Sequence, residues 1–327
     1  MQGEAADTSR RRFLKTAAVG SAGLMFGGLF RFVGNPQPLF GETSDGALLP
    51  TRRLGKTEFN VSLFGLGGEA TVQQSTRSDD ATALIHRALD LGVNYIDTSP
   101  TYGSGGSETN IGKVMQSRRG EAFLATKTHD RTYDGTMRLL EASLGRLKTD
   151  YLDLYQMHNV RLQADLDRAF ANNGAMKALR ELKEQGVVKH IGITGHRDPD
   201  VLLRGIREQE FDCLLMALNA ADIYYKPFQK ELLETALQQD LGIIAMKVTG
   251  VGRIFREGGI SSMEQALGYT LSYPVATAIV GVSTVYQLEE NIRITREFKE
   301  LPETELRNIE HLVQPYHETA GFFKTQW

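Results

Sequence analysis

Residues 79–98 read DDATALIHRALDLGVNYIDT. In the first part Ala83, Leu84, Ala88 and Leu91 recur at helical spacing, so one face of a helix is apolar. Gly92 follows, in the position where a helix C-cap favours a residue free to take positive φ. The run 93–98 is short, mostly apolar, and carries an acid, Asp97, near its end. This one stretch therefore predicts a helix, a stop and a strand.

The same unit recurs in both directions. Apolar runs at 62–67, 93–98, 122–127, 152–158, 188–194, 213–218, 242–247 and 276–282 are the strand candidates. Most are apolar on both faces, as parallel strands covered on both sides must be. Amphipathic stretches lie between them, as at 137–147, where Leu140, Leu144 and Leu147 align. Gly186 and Gly242 repeat the position of Gly92. Eight such units over about 240 residues match an α/β (β/α)8 TIM barrel in number and size. An open doubly wound sheet is the alternative. Its G-x-G-x-x-G helix entry is missing, because Gly65, Gly67 and Gly68 lead into Glu69 and a polar loop. Before the first strand, 53–59 with 61–63 suits a β-hairpin closing the barrel bottom. After the last, 301–327 forms a C-terminal helical tail carrying Tyr316, Phe322, Phe323 and Trp327.

The bulk numbers fit one large soluble domain. Of 327 residues, 37 are Lys or Arg and 40 are Asp or Glu, a net charge of −3 that does not point to nucleic acid or an anionic membrane as partner. The single cysteine, Cys213, rules out an internal disulfide framework and a four-cysteine metal site from this chain alone.

The N-terminus has a different character. Ser9-Arg10-Arg11-Arg12-Phe13-Leu14-Lys15 precedes the apolar, small-residue run TAAVGSAGLMFGGLF at 16–30. A charged segment before a short apolar one is the pattern of an export signal. The run is shorter than the roughly 20 residues of a spanning helix. Ser9, Arg10, Arg11, Phe13, Leu14 and Lys15 resemble the twin-arginine signal. That resemblance implies the export machinery as a partner and a periplasmic location, with the signal either cleaved or retained as a membrane anchor. The expected division is a signal segment at 1–34, a Pro-containing linker at 35–50, and the barrel with its tail at 51–327.

In a barrel, chemistry gathers where the strands end at the C-terminal face. Strand two ends in Asp97, with Tyr102 on the loop after it; strand three ends in Lys127, and strand four in His158. The set suits carbonyl reduction. The carbonyl oxygen needs a proton as hydride reaches carbon, and a free tyrosine, with a pKa of about 10, is a poor acid. A lysine cation beside it is expected to lower that pKa. An aspartate would keep the lysine charged and in place. A histidine can hold the oxygen or relay the proton. No metal is called for.

Asp97, Tyr102, Lys127 and His158 resemble the catalytic tetrad of the aldo-keto reductase superfamily, and Arg53-Leu54-Gly55-Lys56-Thr57 and Ile111-Gly112 are similar to other segments of that family. The resemblance covers roughly 51–300 and implies an NAD(P)-dependent oxidoreductase acting on a small aldehyde, ketone or sugar carbonyl. Cofactor contacts follow from it at Gly281, Gln287, Glu290 and Asn291, which match the segment used for the adenosine end. A strand-to-helix turn there offers N–H groups to phosphate. NADP, the family default, is the expected cofactor; Ser283 stands where many members carry an arginine for the 2′-phosphate, which keeps NAD as the alternative. Thr194 can supply the hydroxyl that holds the nicotinamide amide, but Gly195 lacks the usual amide side chain, and Asn219 replaces the usual stacking tyrosine. Met246 can pack under the nicotinamide, and Lys247 can meet a phosphate or an acidic substrate. The rival reading, a nucleotide-binding sensor with little turnover, rests on these departures.

Overall fold

A computed structural model describes residues 48–326. The signal-like segment and most of the linker lie outside the described residues. The first elements are β1 (Thr51–Arg53) and β2 (Asn60–Ser62), an antiparallel hairpin. Then come β3 (Phe64–Gly67), α1 (Ser78–Asp90), β4 (Tyr95–Asp97), α2 (Gly106–Arg118), β5 (Phe123–Thr128), α3 (Tyr133–Leu147) and β6 (Leu152–Met157). The second half holds α4 (Gln163–Phe170), α5 (Ala175–Glu184), β7 (Val188–Gly195), α6 (Pro199–Glu208), β8 (Cys213–Ala217), α7 (Glu231–Gln238), β9 (Gly242–Met246), α8 (Met263–Leu271), β10 (Thr277–Val280) and α9 (Val285–Arg296). The tail is α10 (Glu303–Val313), α11 (His317–Ala320) and α12 (Phe323–Gln326). Strands β3 to β10 close into a parallel barrel, β10 pairing back onto β3. The barrel and helical tail are those the sequence pattern predicts, and the hairpin is present with its first arm at Thr51–Arg53, because Gly55–Thr57 of the expected 53–59 arm forms a 3-10 turn.

Local corrections are informative. In α1 the buried face is Ala81, Leu84, Ile85, Ala88 and Leu89, and Ala83 points to solvent. A helical stripe centred two residues off still reads as apolar when alanine is counted as core. Gly92 and Gly186 do take positive φ, 91° and 73°. Gly242 does not: Asp240 takes the left-handed turn, at φ 52°. Gly242 is needed for close packing instead, since a Cβ there would stand 2.7 Å from Leu54 Cγ.

That contact belongs to the barrel floor. Leu54 and Val61 from the hairpin are fully buried against Tyr95, Phe123, Ala125, Leu154, Cys213, Leu215 and Ile244. Arg53 pins the hairpin from outside, its two terminal nitrogens donating to Asp240 at 2.9 and 2.7 Å. The inward apolar residues also fix what lies above them. Side chains alternate along a strand, so Tyr95 below places Asp97 inward, Ala125 places Lys127 inward, and Leu154 places Gln156 and His158 inward. The plug at the bottom thus sets the register of the chemistry at the top.

Candidate active site

Asp97 and Lys127 are each 1% exposed. Lys127 Nζ is paired with Asp97 Oδ1 and donates to the Thr98 carbonyl at 2.7 Å. Its third contact is the Tyr102 hydroxyl, at 3.4 Å. The other Asp97 oxygen accepts from Gln156 Nε2 at 3.3 Å. Tyr102 opens a tight turn, its N–H donating to the Ser99 carbonyl at 3.1 Å. Gly103 (φ 56°) and Gly105 (φ 92°) in this turn adopt left-handed backbone. A Cβ on Gly103 would lie 2.1 Å from the Gln73 carbonyl, so only glycine lets the Tyr102 loop pack against the loop after β3. His158 stands edge-on to Tyr102, ring centroids 5.9 Å apart, and its Nδ1 lies 3.2 Å from Ser99 Oγ. The structure thus brings the four predicted residues together.

The electrostatics differ from expectation at one point. Tyr102 is not lowered: burial first, then Asp97 and Glu69, hold its hydroxyl well above the ordinary tyrosine value. Lys127 is engaged first with Asp97 and the Thr98 carbonyl, and meets the phenol only at 3.4 Å. Tyr102 therefore carries its proton at neutral pH. Burial likewise pushes Asp97 above the usual carboxylate range, against the pull of Lys127 and Gln156. His158 is pushed well below its ordinary value by burial and by Lys127, and is neutral.

A cleft of about 550 Å³ opens beside Tyr102 and Asp97. Its walls include Gly67, Gly68, Glu69 and Gln73 from the end of β3 onward, Met246 and Lys247 at the end of β9, and Gly281, Ser283, Gln287 and Asn291 from the end of β10 into α9. Six predicted cofactor residues thus share one cleft with Tyr102 and Asp97. Two do not line it. Thr194 is buried, and its hydroxyl accepts from the Asn159 N–H at 2.9 Å. Glu290 is turned to Arg293, at 2.8 Å. Asn219 braces two loops, donating to the Lys247 carbonyl at 2.8 Å and accepting from the Ala221 N–H at 2.9 Å.

The Aldo/keto reductase family matches residues 63–257. The chain belongs to the aldo/keto reductase family. It is an oxidoreductase. It is 29% identical over 302 residues to the uncharacterized oxidoreductase YqkF of Bacillus subtilis, covering 79% of this chain and 95% of that one. Its fold resembles the holo form of aldo-keto reductase AKR11C1 from Bacillus halodurans, with a TM-score of 0.69, 24% identity, and coverage of 81% and 96%. It also resembles an aldo-keto reductase from Klebsiella pneumoniae solved in complex with NADPH, with a TM-score of 0.64, 21% identity, and coverage of 81% and 95%.

Other residues gather around the cleft and the tetrad that the strand-end reading passes over. Gln156 and Ser99 touch the tetrad directly; Gln156 was findable, lying two residues before His158 along the run of β6, whereas Ser99 lies on the loop after β4. The loop at 248–255 was not findable by pattern. Val248, Thr249, Val251, Gly252 and Phe255 line the cleft through a run of left-handed turns, at Lys247 (φ 60°), Gly250 (φ 53°), Val251 (φ 58°) and Gly252 (φ 83°).

Proposed function

We propose that this chain reduces an aldehyde, ketone or sugar carbonyl to an alcohol with NADPH, or runs the reverse, and that Tyr102 is the general acid and base. The observation that carries the reading is one ammonium group, Lys127 Nζ, touching both Asp97 and the Tyr102 hydroxyl at the edge of the cleft.

The cleft suits a nicotinamide nucleotide on its own terms. It is long, glycine-floored at Gly67, Gly68 and Gly281, and apolar around Met246, Ile279 and Phe255. At its far end Ser283 and Gln287 sit at the start of α9, where a helix N-terminus favours phosphate. Gln287 and Asn291, four residues apart, face the same side. Ser283 offers a hydroxyl and no charge. The Klebsiella neighbour's NADPH supports the same cofactor.

When bound, the nucleotide supplies or accepts a hydride at the carbonyl carbon. The protein's own part is the proton. Tyr102, protonated at neutral pH, gives its hydroxyl proton to the carbonyl oxygen as the C–H bond forms. Lys127 steadies the phenolate left behind, and Asp97 holds Lys127 in place through the salt bridge. Neutral His158 hydrogen-bonds the substrate oxygen and keeps it beside Tyr102. The proton is then restored from solvent at the cleft mouth.

Steady-state reduction across a panel of aldehydes, ketones and aldoses tests this. Tyr102→Phe is expected to lose about a thousandfold or more in kcat, the scale of a missing general acid; unchanged turnover would remove Tyr102 from the role. Export is a further part of the reading, supported by Ser9-Arg10-Arg11 and the apolar run behind it. The protein is expected in the periplasmic fraction of a host with twin-arginine transport, and in the cytoplasm when Arg10 and Arg11 are both changed to Lys.

A further inference from the structure

A second set of polar groups surrounds the tetrad on the β6 side. The chain leaves β6 as His158-Asn159-Val160-Arg161, and Arg131, from the loop after β5, packs beneath it. Arg131 Nη2 donates to the carbonyls of His158 at 2.7 Å and Asn159 at 3.2 Å. Asp165 holds the same turn from the other end, accepting from the N–H groups of Arg161 at 2.9 Å and Leu162 at 3.0 Å. These bonds fix the backbone and leave side-chain atoms over. Arg131 Nε and Nη1, Asn159 Oδ1 and Arg161 Nε are each buried without a hydrogen-bond partner. A buried donor left unmatched costs about 1–3 kcal/mol, more when charged. Such atoms in a native fold call for a complement.

The charges there are lopsided. Lys127, Arg131, Arg161 and Lys247 surround the two histidines of this rim, His158 and His196. The acids are already engaged. Asp97 pairs with Lys127, Glu69 stands 3.9 Å from Lys247, Asp165 stands 3.9 Å from Arg131 while accepting two N–H groups, and Asp130, which also acts on Arg131, accepts from the Thr132 N–H and hydroxyl. Among the described residues Arg161 has no carboxylate within 4.0 Å. The histidines respond to burial first and then to this field. His196 falls to about 3, with Lys247 and Arg161 both contributing. Neither ring adds a charge, and neither removes the excess.

We propose that the substrate is a carbonyl compound carrying a carboxylate, and that Arg161, with Arg131 fixed behind it, receives that carboxylate while the carbonyl lies at Tyr102 and His158. This rests on the reductase reading of the site. A guanidinium meets a carboxylate through two parallel N–H···O bonds, which a lysine cannot copy. Such a group also sets direction: the anionic end goes to the β6 rim and the carbonyl end to the cleft, where the hydride arrives.

The test compares succinic semialdehyde with its methyl ester, which loses the charge and gains one methyl group. With NADPH, the native chain is expected to favour the acid by about tenfold or more in kcat/KM, the scale of charged hydrogen bonds. Arg161→Met should lower kcat/KM for the acid through a raised KM and bring the two substrates close together; Arg161→Lys should keep part of the preference. Equal kcat/KM for acid and ester in the native chain overturns the proposal, and so does a preference that survives in Arg161→Met. Butanoate, which has the carboxylate and no carbonyl, reads the anion site without turnover. It is expected to raise the melting temperature of the native chain and not of Arg161→Met; no rise in the native chain overturns the proposal whatever the turnover. Loss of all reduction with butanoate binding intact would instead sink the reductase reading and leave the anion site standing.

Discussion

Lys127 at the barrel mouth holds a charge with almost no water around it. It is tolerable only because Asp97 cancels it and because Thr98 and Tyr102 take its remaining protons. Removing one partner leaves the other buried and alone, which costs about 3–5 kcal/mol, whereas removing both costs much less. Lys127→Met is therefore expected to lose stability on that scale in urea denaturation, and Lys127→Met with Asp97→Asn to recover most of it. Additive losses would mean that Asp97 has another source of charge compensation. The pH behaviour follows from the same residues. Tyr102 is held above the ordinary tyrosine value and His158 well below the ordinary histidine value, so neither changes charge between pH 6 and 9. The kcat/KM for reduction should be flat across that window, and a falling limb centred near pH 8 would show that Lys127 lowers Tyr102 after all. Asp97, Lys127 and His158 could be read from strand ends, because period-two alternation fixes which way each one points, whereas Tyr102, on the loop after β4, was legible only through the family resemblance. Their pKa values could not. Those depend on how completely Asp97 absorbs the field of Lys127, which is a matter of ångströms.

Among the elements, the tail carries little sequence signal, yet buried side chains tie it firmly to the barrel. Tyr316 Oη donates to the Ile254 carbonyl and accepts from the Ile260 N–H, both at 2.9 Å. The Phe322 ring lies 3.7 Å from the Arg253 guanidinium, and Phe323 is edge-on to His196 at 5.9 Å. Lys324, 3% exposed, closes the hook by pairing with buried Asp222 and donating to the carbonyls of Tyr225 at 2.5 Å and Lys226 at 2.8 Å. The tail thus presses on the 248–255 loop that walls the cleft. Its aromatics could be counted in the sequence, but a lone Lys three residues before Trp327 looks like a surface charge. Burial pushes Asp222 up to about 6 against the pull of Lys324. A folded pKa above the unfolded one favours the protonated form, so this group's contribution is full at low pH and fades as pH rises through about 6. Lys324→Met removes the pull and strands a carboxylate at high pH. The expected loss is about 3–5 kcal/mol at pH 8 and clearly less at pH 5, where Asp222 takes up its proton. Equal loss at both pH values would show that Asp222 stays ionised in the variant.

At the scale of the whole molecule, the barrel is legible because its signal is repeated eight times, so a misplaced face such as Ala83 does not disturb the count. The cleft is less legible, because it joins segments far apart in the chain: Gly67 to Gln73, Met246 to Phe255, and Gly281 to Asn291. That composition has a thermodynamic consequence. A ligand that touches the loops after β3, β9 and β10 at once binds only the closed barrel, so it stabilises the fold by RT ln(1 + [L]/Kd), about 2.7 kcal/mol at a hundredfold excess over Kd. For a barrel of this size that corresponds to a rise of roughly 5 °C in melting temperature. NADPH is expected to produce it. Ser283 brings no cation to a 2′-phosphate, so NADH at equal concentration should come within a few degrees of NADPH. Ser283→Arg should widen the gap by raising the NADPH shift alone. A native chain that responds strongly to NADPH and not at all to NADH would mean that another cation, such as Lys247, meets the phosphate in place of Ser283.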